Sequence, residues 1–277
     1  MICFPNAKIN LGLNVVSRRA DGYHNIETIF YPIGLKDALE IIPMQTKASA
    51  TQNKSYRFFE SGMEIGGNLE DNLVIRAWKV VKKECDIPPI DIHLLKKIPF
   101  GAGLGGGSSD AAFMLKLLNT HFSLGYSEED LRQRASTIGA DCPFFVVNKP
   151  AFASGIGEHL EEIVLSLDNY FFVLIKPNCF ISTQTAYAMV TPTSPTVSLK
   201  EIIKHPVSEW KETMKNDFEA SVFKKFPEIC NIKEKLYDLG AIYASMSGSG
   251  SSVFALFESE IEIEKYFSKQ FVWTNKK

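Results

Sequence analysis

The stretch PFGAGLGGGSSDAA, residues 99–112, constrains this chain more than any other. Five of the seven residues at 101–107 are glycine, and Ser-Ser-Asp follows. Before it, PPIDIHLLKKI alternates Ile90, Ile92 and Leu94 with Asp91 and His93, a period of two that predicts a half-buried strand. After it, SSDAAFMLKLLN offers Ser and Asp as caps, then Ala112, Leu115 and Leu118 at helical spacing with Leu117 alongside. A strand, a glycine loop and a capped helix make an anion site. The helix start presents unpaired N–H groups and positive partial charge, and glycine lets phosphate oxygens approach the backbone. The alternative is a flexible Gly/Ser linker, against which the ordered flanks argue.

Known phosphate loops separate by their other requirements. A Walker A loop needs Gly-Lys-[Ser/Thr], and no lysine lies between Gly101 and Asp110. Gly101, Gly103 and Gly106 match G-x-G-x-x-G. The region about 20 residues later, however, reads as a helix opened by a Ser127/Asp130 capping box rather than an acid-ended strand. The protein-kinase signatures V-A-I-K, H-R-D and D-F-G are absent. What remains is a nucleotide-phosphate loop of another class.

Bulk properties narrow the partners. In 277 residues, 30 Lys and Arg face 32 Asp and Glu, a net charge of −2 that draws the chain toward neither nucleic acid nor anionic membrane. Five cysteines without a C-x-x-C fit reduced thiols in the cytoplasm, and the five histidines show no H-E-x-x-H spacing. No secretory signal is expected at the N-terminus, and the apolar run YFFVLI is a strand's length, too short for a membrane span.

Further elements follow from the same periodicities. AKINLGLNVV puts Ile9, Leu11, Leu13 and Val15 on one strand face and Lys8, Asn10 and Asn14 on the other. Asp21-Gly22 reads as a turn into a strand, KDALEII as ending in another, and residues 46–67 as turn-rich with short extended pieces. Helices are predicted over DNLVIRAWKVVKKE, from Glu128, over STQTAYAMV, and over FPEICNIKEKLYDLG, the last stopped by Gly240. YFFVLIKP is a strand, AIYASMSGSGSSVFALF a strand, glycine-serine loop and strand, and TPTSPTVS a loop. A domain boundary is expected near residue 152, dividing 1–152 from 153–277. From composition alone Asp141 reads as a turn or cap aspartate, Lys8 as a solvated strand lysine, and SMSGSGSS as a tight hairpin.

The order PNAKINLGL, PFGAGLGGGSSDAA, MSGSGSSVFALF resembles the three signature motifs of the galactokinase, homoserine, mevalonate and phosphomevalonate (GHMP) kinase superfamily. AKINLGLNVVSRRADGYHNIETIF, EDNLVIRA, GADCPFF, AFASGIGEHLEEI and STQTAY resemble the branch that acts on 4-diphosphocytidyl-2-C-methyl-D-erythritol. The resemblance implies an α+β, two-domain fold with a ribosomal-protein-S5-like N-terminal domain, including a left-handed βαβ crossover, and a ferredoxin-like C-terminal domain. It implies transfer of the γ-phosphoryl of ATP to the 2-hydroxyl of that cytidyl-diphosphate sugar alcohol, with Mg2+.

The same resemblance implies roles. Asp141 is the base and Lys8 its cationic partner. Asn72, Leu73 and Lys96 lie near adenine, and the phosphate loop comprises Pro99, Phe100, Gly101, Ala102, Gly103, Leu104, Gly105, Gly106, Gly107, Ser108 and Ser109. Asn10, Tyr23, His24, Tyr187, Gly248, Ser249 and Gly250 serve the acceptor substrate, with cytosine between Tyr23 and Tyr187 and hydrogen-bonded by His24. Ser108 is at most an indirect metal ligand, no metal site being fixed by the sequence. Other readings are a kinase for homoserine or mevalonate, a silent nucleotide sensor on the same fold, and an RNA-binding module. The retained Lys8 and Asp141 speak against the second, and the acidic charge balance against the third.

Overall fold

The computed structural model describes residues 1–44, 55–64 and 66–276. The turn-rich expectation at 46–54 lies outside the described residues. In chain order come β1 (Ile2–Cys3), β2 (Asn6–Arg18), β3 (His24–Lys36), β4 (Ala38–Pro43), β5 (Tyr56–Gly62), α1 (Leu73–Glu84) and β6 (Ile90–Lys96). Next are α2 (Gly106–Phe122), α3 (Glu128–Ser136), α4 (Cys142–Val147), β7 (Ala151–Ser154), β8 (His159–Glu162), β9 (Phe171–Lys176) and α5 (Thr183–Met189). The chain ends with α6 (Leu199–Ile202), α7 (Trp210–Thr213), α8 (Glu219–Lys225), α9 (Pro227–Asp238), β10 (Tyr243–Met246), β11 (Val253–Phe257) and β12 (Phe271–Thr274).

Two compact units interleave along the chain. One comprises Met1–Ala7, Gly34–Phe100 and Gly105–Asn148; the other Lys8–Ile33, Gly101–Leu104 and Lys149–Lys277. The first holds a sheet of order β1-β4-β6-β5, in which β5 and β6 pair in parallel, and α1 is the crossover between them. Ile90, Ile92 and Leu94 are buried on β6, as the alternation predicts. α1 packs on α2, whose Ala112, Leu115, Leu117 and Leu118 are buried, and α3 and α4 pack together with it. The second unit holds β2-β3-β7-β8, except for the start of β2 and the end of β3, together with the antiparallel sheet β10-β11-β9-β12. Its core gathers Leu13, Val15, Val173, Ile175, Phe218 and Val222 with the buried face of α9, Ile229, Ile232 and Leu236.

Local chemistry accounts for most boundaries. The Ser127/Asp130 capping box forms in both directions, Asp130 N–H donating to Ser127 Oγ and Ser127 N–H to Asp130 Oδ2. α9 ends at Asp238 with Gly240 at φ +95° close behind. The glycine-rich helix differs from expectation. α2 starts at Gly106, not at the serines, and its cap is Gly105 in the left-handed conformation with no side-chain cap bond. Ser108 and Ser109 thus lie inside the first turn and Asp110 just past it, and the backbone turn at Gly105 does what a capping side chain would otherwise do. No helix among the described residues is long and apolar enough to cross a membrane.

Asn72 caps α1, its Oδ1 accepting from Val74 N–H at 2.9 Å. We expect Asn72→Ala to lower stability by about 1 kcal/mol in urea denaturation, and Asn72→Asp to restore most of it.

Candidate active site

In the first unit, the end of β6 is tied to the start of α2 by buried ions. Lys96 Nζ donates to Asp110 Oδ2 at 2.6 Å and forms a very short contact with Asp37 Oδ2. Asp37 Oδ1 also accepts from Lys97 N–H at 2.5 Å and Ile98 N–H at 2.8 Å, where the chain leaves β6 for the glycine loop. The three side chains are at most 4% exposed. Burial works against the Lys96 ammonium, yet Asp110 and Asp37 overcome it and hold its pKa above the ordinary lysine value. Burial pushes the Asp110 carboxyl up to about 8, Lys96 opposing and Asp37 adding to the shift. Asp110 Oδ1 is buried and finds no hydrogen-bond partner among the described residues, so a proton there removes a charge at little cost. The lysine that the resemblance places near adenine therefore has its ammonium committed to two carboxylates.

Beyond this anchor the first turn of α2 carries no acidic residue and no side-chain cap, leaving its amides to an external anion. Asn72 is the cap of α1 and Leu73 its first residue, both half-buried. Pro99 is buried and Phe100 is 59% exposed. Asp141 occupies the N-cap position of α4 but spends no side-chain bond on capping it. Next to it Cys142 is fully buried, and burial pushes its thiol up to about 12 despite a bond from Ser108. That makes it a neutral filler rather than a nucleophile.

In the second unit, the polar face of β2 is buried rather than solvated. Lys8 is 4% exposed and Asn10 2%. Lys8 Nζ donates to Asn10 Oδ1 at 2.6 Å, reaches Gly103 O at 3.4 Å, and sits 4.7 Å from the Phe30 ring centre. Asn10 Nδ2 donates to Thr28 Oγ1 at 3.0 Å, and Thr28 Oγ1 to Gly12 O at 2.6 Å. The glycine-serine loop between β10 and β11 joins this cluster. Ser247 Oγ accepts from Asn10 N–H at 3.3 Å and donates to Gly103 O at 2.8 Å, while Ser252 N–H donates to Ala102 O at 3.2 Å. Gly103 has φ +74°, and a Cβ there would overlap the Ser247 carbonyl, so only glycine fits. Gly248 is buried within 3.2 Å of Asn10 Oδ1, measured from where its Cβ would stand. Gly250 is buried, and Ser249 is half-buried with Oγ 3.4 Å from Thr183 Oγ1.

An aromatic group lies in the same unit. Asp21 Oδ1 accepts from Tyr23 N–H at 3.1 Å across the Gly22 turn, which leaves Tyr23 61% exposed ahead of β3. His24, the first residue of β3, stacks on Tyr187 of α5 with ring centres 4.9 Å apart at 22°. Phe218 meets the Tyr187 ring edge-on, at 4.9 Å and 87°. Such a surface accepts a flat, hydrogen-bonding ring.

Comparison with known proteins agrees with this arrangement of loops. The GHMP kinases N terminal domain model matches residues 72–149, and the GHMP kinases C terminal model matches residues 198–271. A 4-diphosphocytidyl-2-C-methyl-D-erythritol kinase of Parabacteroides distasonis is 57% identical over 99% of this chain and 98% of its own. The chain belongs to the 4-diphosphocytidyl-2-C-methyl-D-erythritol kinase family of GHMP kinases. The same enzyme of Bacteroides thetaiotaomicron is 57% identical over 94% of this chain and 93% of its own. A crystal structure of 4-(cytidine 5'-diphospho)-2C-methyl-D-erythritol kinase superposes with a TM-score of 0.83 at 31% identity, covering 99% of this chain and 98% of that one. Mevalonate kinase of Methanococcus jannaschii, 15% identical with a TM-score of 0.70 over 99% of this chain and 97% of its own, shares the fold alone.

Sequence reasoning missed Asp37, Asp110, Thr28 and Ser247 as partners of these groups. Only Asp110 carried a signal, as an acid in the helix start, and it reads there as a cap. We expect Lys96→Met, which removes the only cation bonded to the buried Asp37 and Asp110 carboxyl groups among the described residues, to cost about 3–5 kcal/mol in urea denaturation at pH 7. Because folding raises the Asp110 pKa from 3.8 to about 8, the stability it contributes is full below pH 4 and lost as pH climbs toward 8. Wild type should therefore lose stability relative to Asp110→Asn between pH 5 and pH 8.5; parallel profiles would refute this assignment.

Proposed function

We infer that this chain phosphorylates the 2-hydroxyl of 4-diphosphocytidyl-2-C-methyl-D-erythritol, giving the 2-phosphate and ADP, in the methylerythritol phosphate route to isoprenoid precursors. The observation that carries this reading is 57% identity over 99% of the chain to a kinase of that name. An alcohol is a poor nucleophile near neutral pH, so the reaction needs a base and a cation for the charge that develops. Asp141 takes the hydroxyl proton. Lys8, positioned by Asn10 and Gly103, stabilises the oxygen as it attacks.

The amides along residues 101–109 hold the ATP phosphates, with Pro99 and Phe100 at the loop entrance and Asn72 and Leu73 toward adenine. Lys96 acts on this side by fixing where the loop begins. Gly248, Ser249 and Gly250 face the acceptor and the transferring group. Tyr23 and Tyr187 stack cytosine and His24 hydrogen-bonds it. Among the described residues no three His, Cys, Asp or Glu side chains gather as a metal cage. Mg2+ would neutralise charge on the transferring phosphates of ATP, and Ser108 would hold it at most indirectly. The five cysteines are free thiols, consistent with a cytoplasmic enzyme. For domains, we propose the boundary at 152, in the gap between the two family models, although the compact units interleave.

The direct test is ATP consumption with Mg2+ and the cytidyl substrate, homoserine, mevalonate or no acceptor. Turnover with the cytidyl compound alone is expected; turnover only with another acceptor would overturn the cytosine pocket and keep the kinase. Asp141→Asn should lower kcat by about 10²- to 10⁴-fold with ATP binding nearly unchanged by calorimetry. Tyr23→Ala should raise KM for the cytidyl substrate far more than KM for ATP.

A further inference from the structure

The segment KNDFEAS, residues 215–221, carries none of the family roles assigned above, yet within the second unit its Asn216, Phe218 and Glu219 are buried, Asp217 is half-buried, and all four make specific contacts. Asn216 is 3% exposed and uses its whole side-chain amide. Nδ2 donates to Met246 O and to Gly248 O, each at 2.8 Å, and Oδ1 accepts from Phe218 N–H at 3.0 Å. Of the two carbonyls it holds, Met246 O ends β10 and Gly248 O belongs to the glycine-serine loop. The backbone on either side is tied to β2, Leu13 N–H donating to Lys215 O at 2.9 Å and Asp217 N–H to Leu13 O at 2.8 Å. Asp217 Oδ2 accepts from Val15 N–H at 2.7 Å. Glu219 Oε1 accepts from Met246 N–H at 2.8 Å and Ser245 Oγ at 3.1 Å, while its Oε2 accepts from Lys233 Nζ at 2.6 Å. Between these acids, Phe218 presses edge-on against Tyr187.

Four consecutive residues thus grip four different parts of the second unit. Asn216 grips the loop that carries Gly248 and Gly250, Asp217 the strand that carries Lys8 and Asn10, Phe218 the ring of Tyr187, and Glu219 the strand leading into the loop. We propose that residues 216–219 are a positioning clamp that sets the glycine-serine loop and Tyr187 relative to the Lys8–Asn10 strand, a role resting on the kinase reading above. Asn216 is its centre, because a buried amide that donates both to the last carbonyl of β10 and to a loop carbonyl fixes where the loop leaves the strand. An error of about 1 Å there is expected to cost on the order of 10²-fold in turnover. Phe218 governs a different quantity, since its ring orients the Tyr187 ring offered to the base.

The test uses Asn216→Asp, which keeps the shape and the Phe218 bond but replaces the donating NH2 with an acceptor oxygen facing two carbonyls, together with Phe218→Leu. Ile229→Val, a conservative change in the same core, serves as a control for simple destabilisation. Two readouts are taken well below each variant's melting temperature, namely hydrogen exchange of the amides at 246–252 and separate kcat and KM values for both substrates. We expect Asn216→Asp to speed exchange at 246–252 and lower kcat on the order of 10²-fold with KM for ATP unchanged. Phe218→Leu should raise KM for the cytidyl substrate about two- to tenfold, leaving kcat near wild type. Unchanged exchange in Asn216→Asp, or kinetic losses no larger than those of Ile229→Val, would overturn the clamp. A wild type that turns over no cytidyl substrate would instead overturn the proposed function, and the exchange comparison would still decide whether Asn216 holds the loop.

Discussion

A single buried ammonium sets where the glycine loop begins. Lys96 stands at the last residue of β6, and its two carboxylate partners come from the approach to β4 and from α2 just past its first turn. Asp37 also takes the amides of Lys97 and Ile98, so the chain leaves the sheet in one direction only. Two acids and one base in an apolar interior are an expensive arrangement that a well-packed hydrophobic replacement often matches in stability. What the cluster supplies is direction. A loop with five glycines in seven residues has little conformational preference of its own, and its amides can address a phosphate only if both ends are fixed.

The second unit joins its loops through backbone and hydroxyl groups. There the glycine-serine loop and residues 101–104 meet backbone to backbone, with Ser247 bridging Asn10 and Gly103. The absence of a side chain at Gly103 is what allows that distance. Lys8 sits in the resulting cluster, desolvated but surrounded by an amide oxygen, a carbonyl and an aromatic face. An amine held by fixed dipoles needs no reorganisation when negative charge develops beside it, which is the condition for electrostatic catalysis.

Much of the fold was legible because its signals are local. Alternation marked β2 and β6, the Ser127/Asp130 box marked the start of α3, and Gly240 marked the end of α9. The start of α2 was misplaced by the same logic. Serine and aspartate are good caps, but a left-handed glycine upstream opens the helix earlier, and no local pattern reveals which glycine in such a run takes that conformation. For the candidate site, Lys8 and Asn10 could be placed on one strand face by counting. Their burial could not, because a polar strand face reads as solvated until its cover is known.

The sequence by itself determined the elements with a clear period, the glycine loop between β6 and α2 and, through 57% identity over 99% of the chain with a named relative, the family and its chemistry. Those features depend on spacing along the chain, where side-chain period and turn chemistry act over a few residues. The tertiary structure alone decided which polar groups would be buried together. Asp37 meets Lys96 across 59 residues, Ser247 meets Asn10 across 237, and Asn216 meets Gly248 across 32. A buried donor accepts any acceptor the fold delivers within reach, so its partner is chosen by packing and leaves no mark in the adjoining sequence.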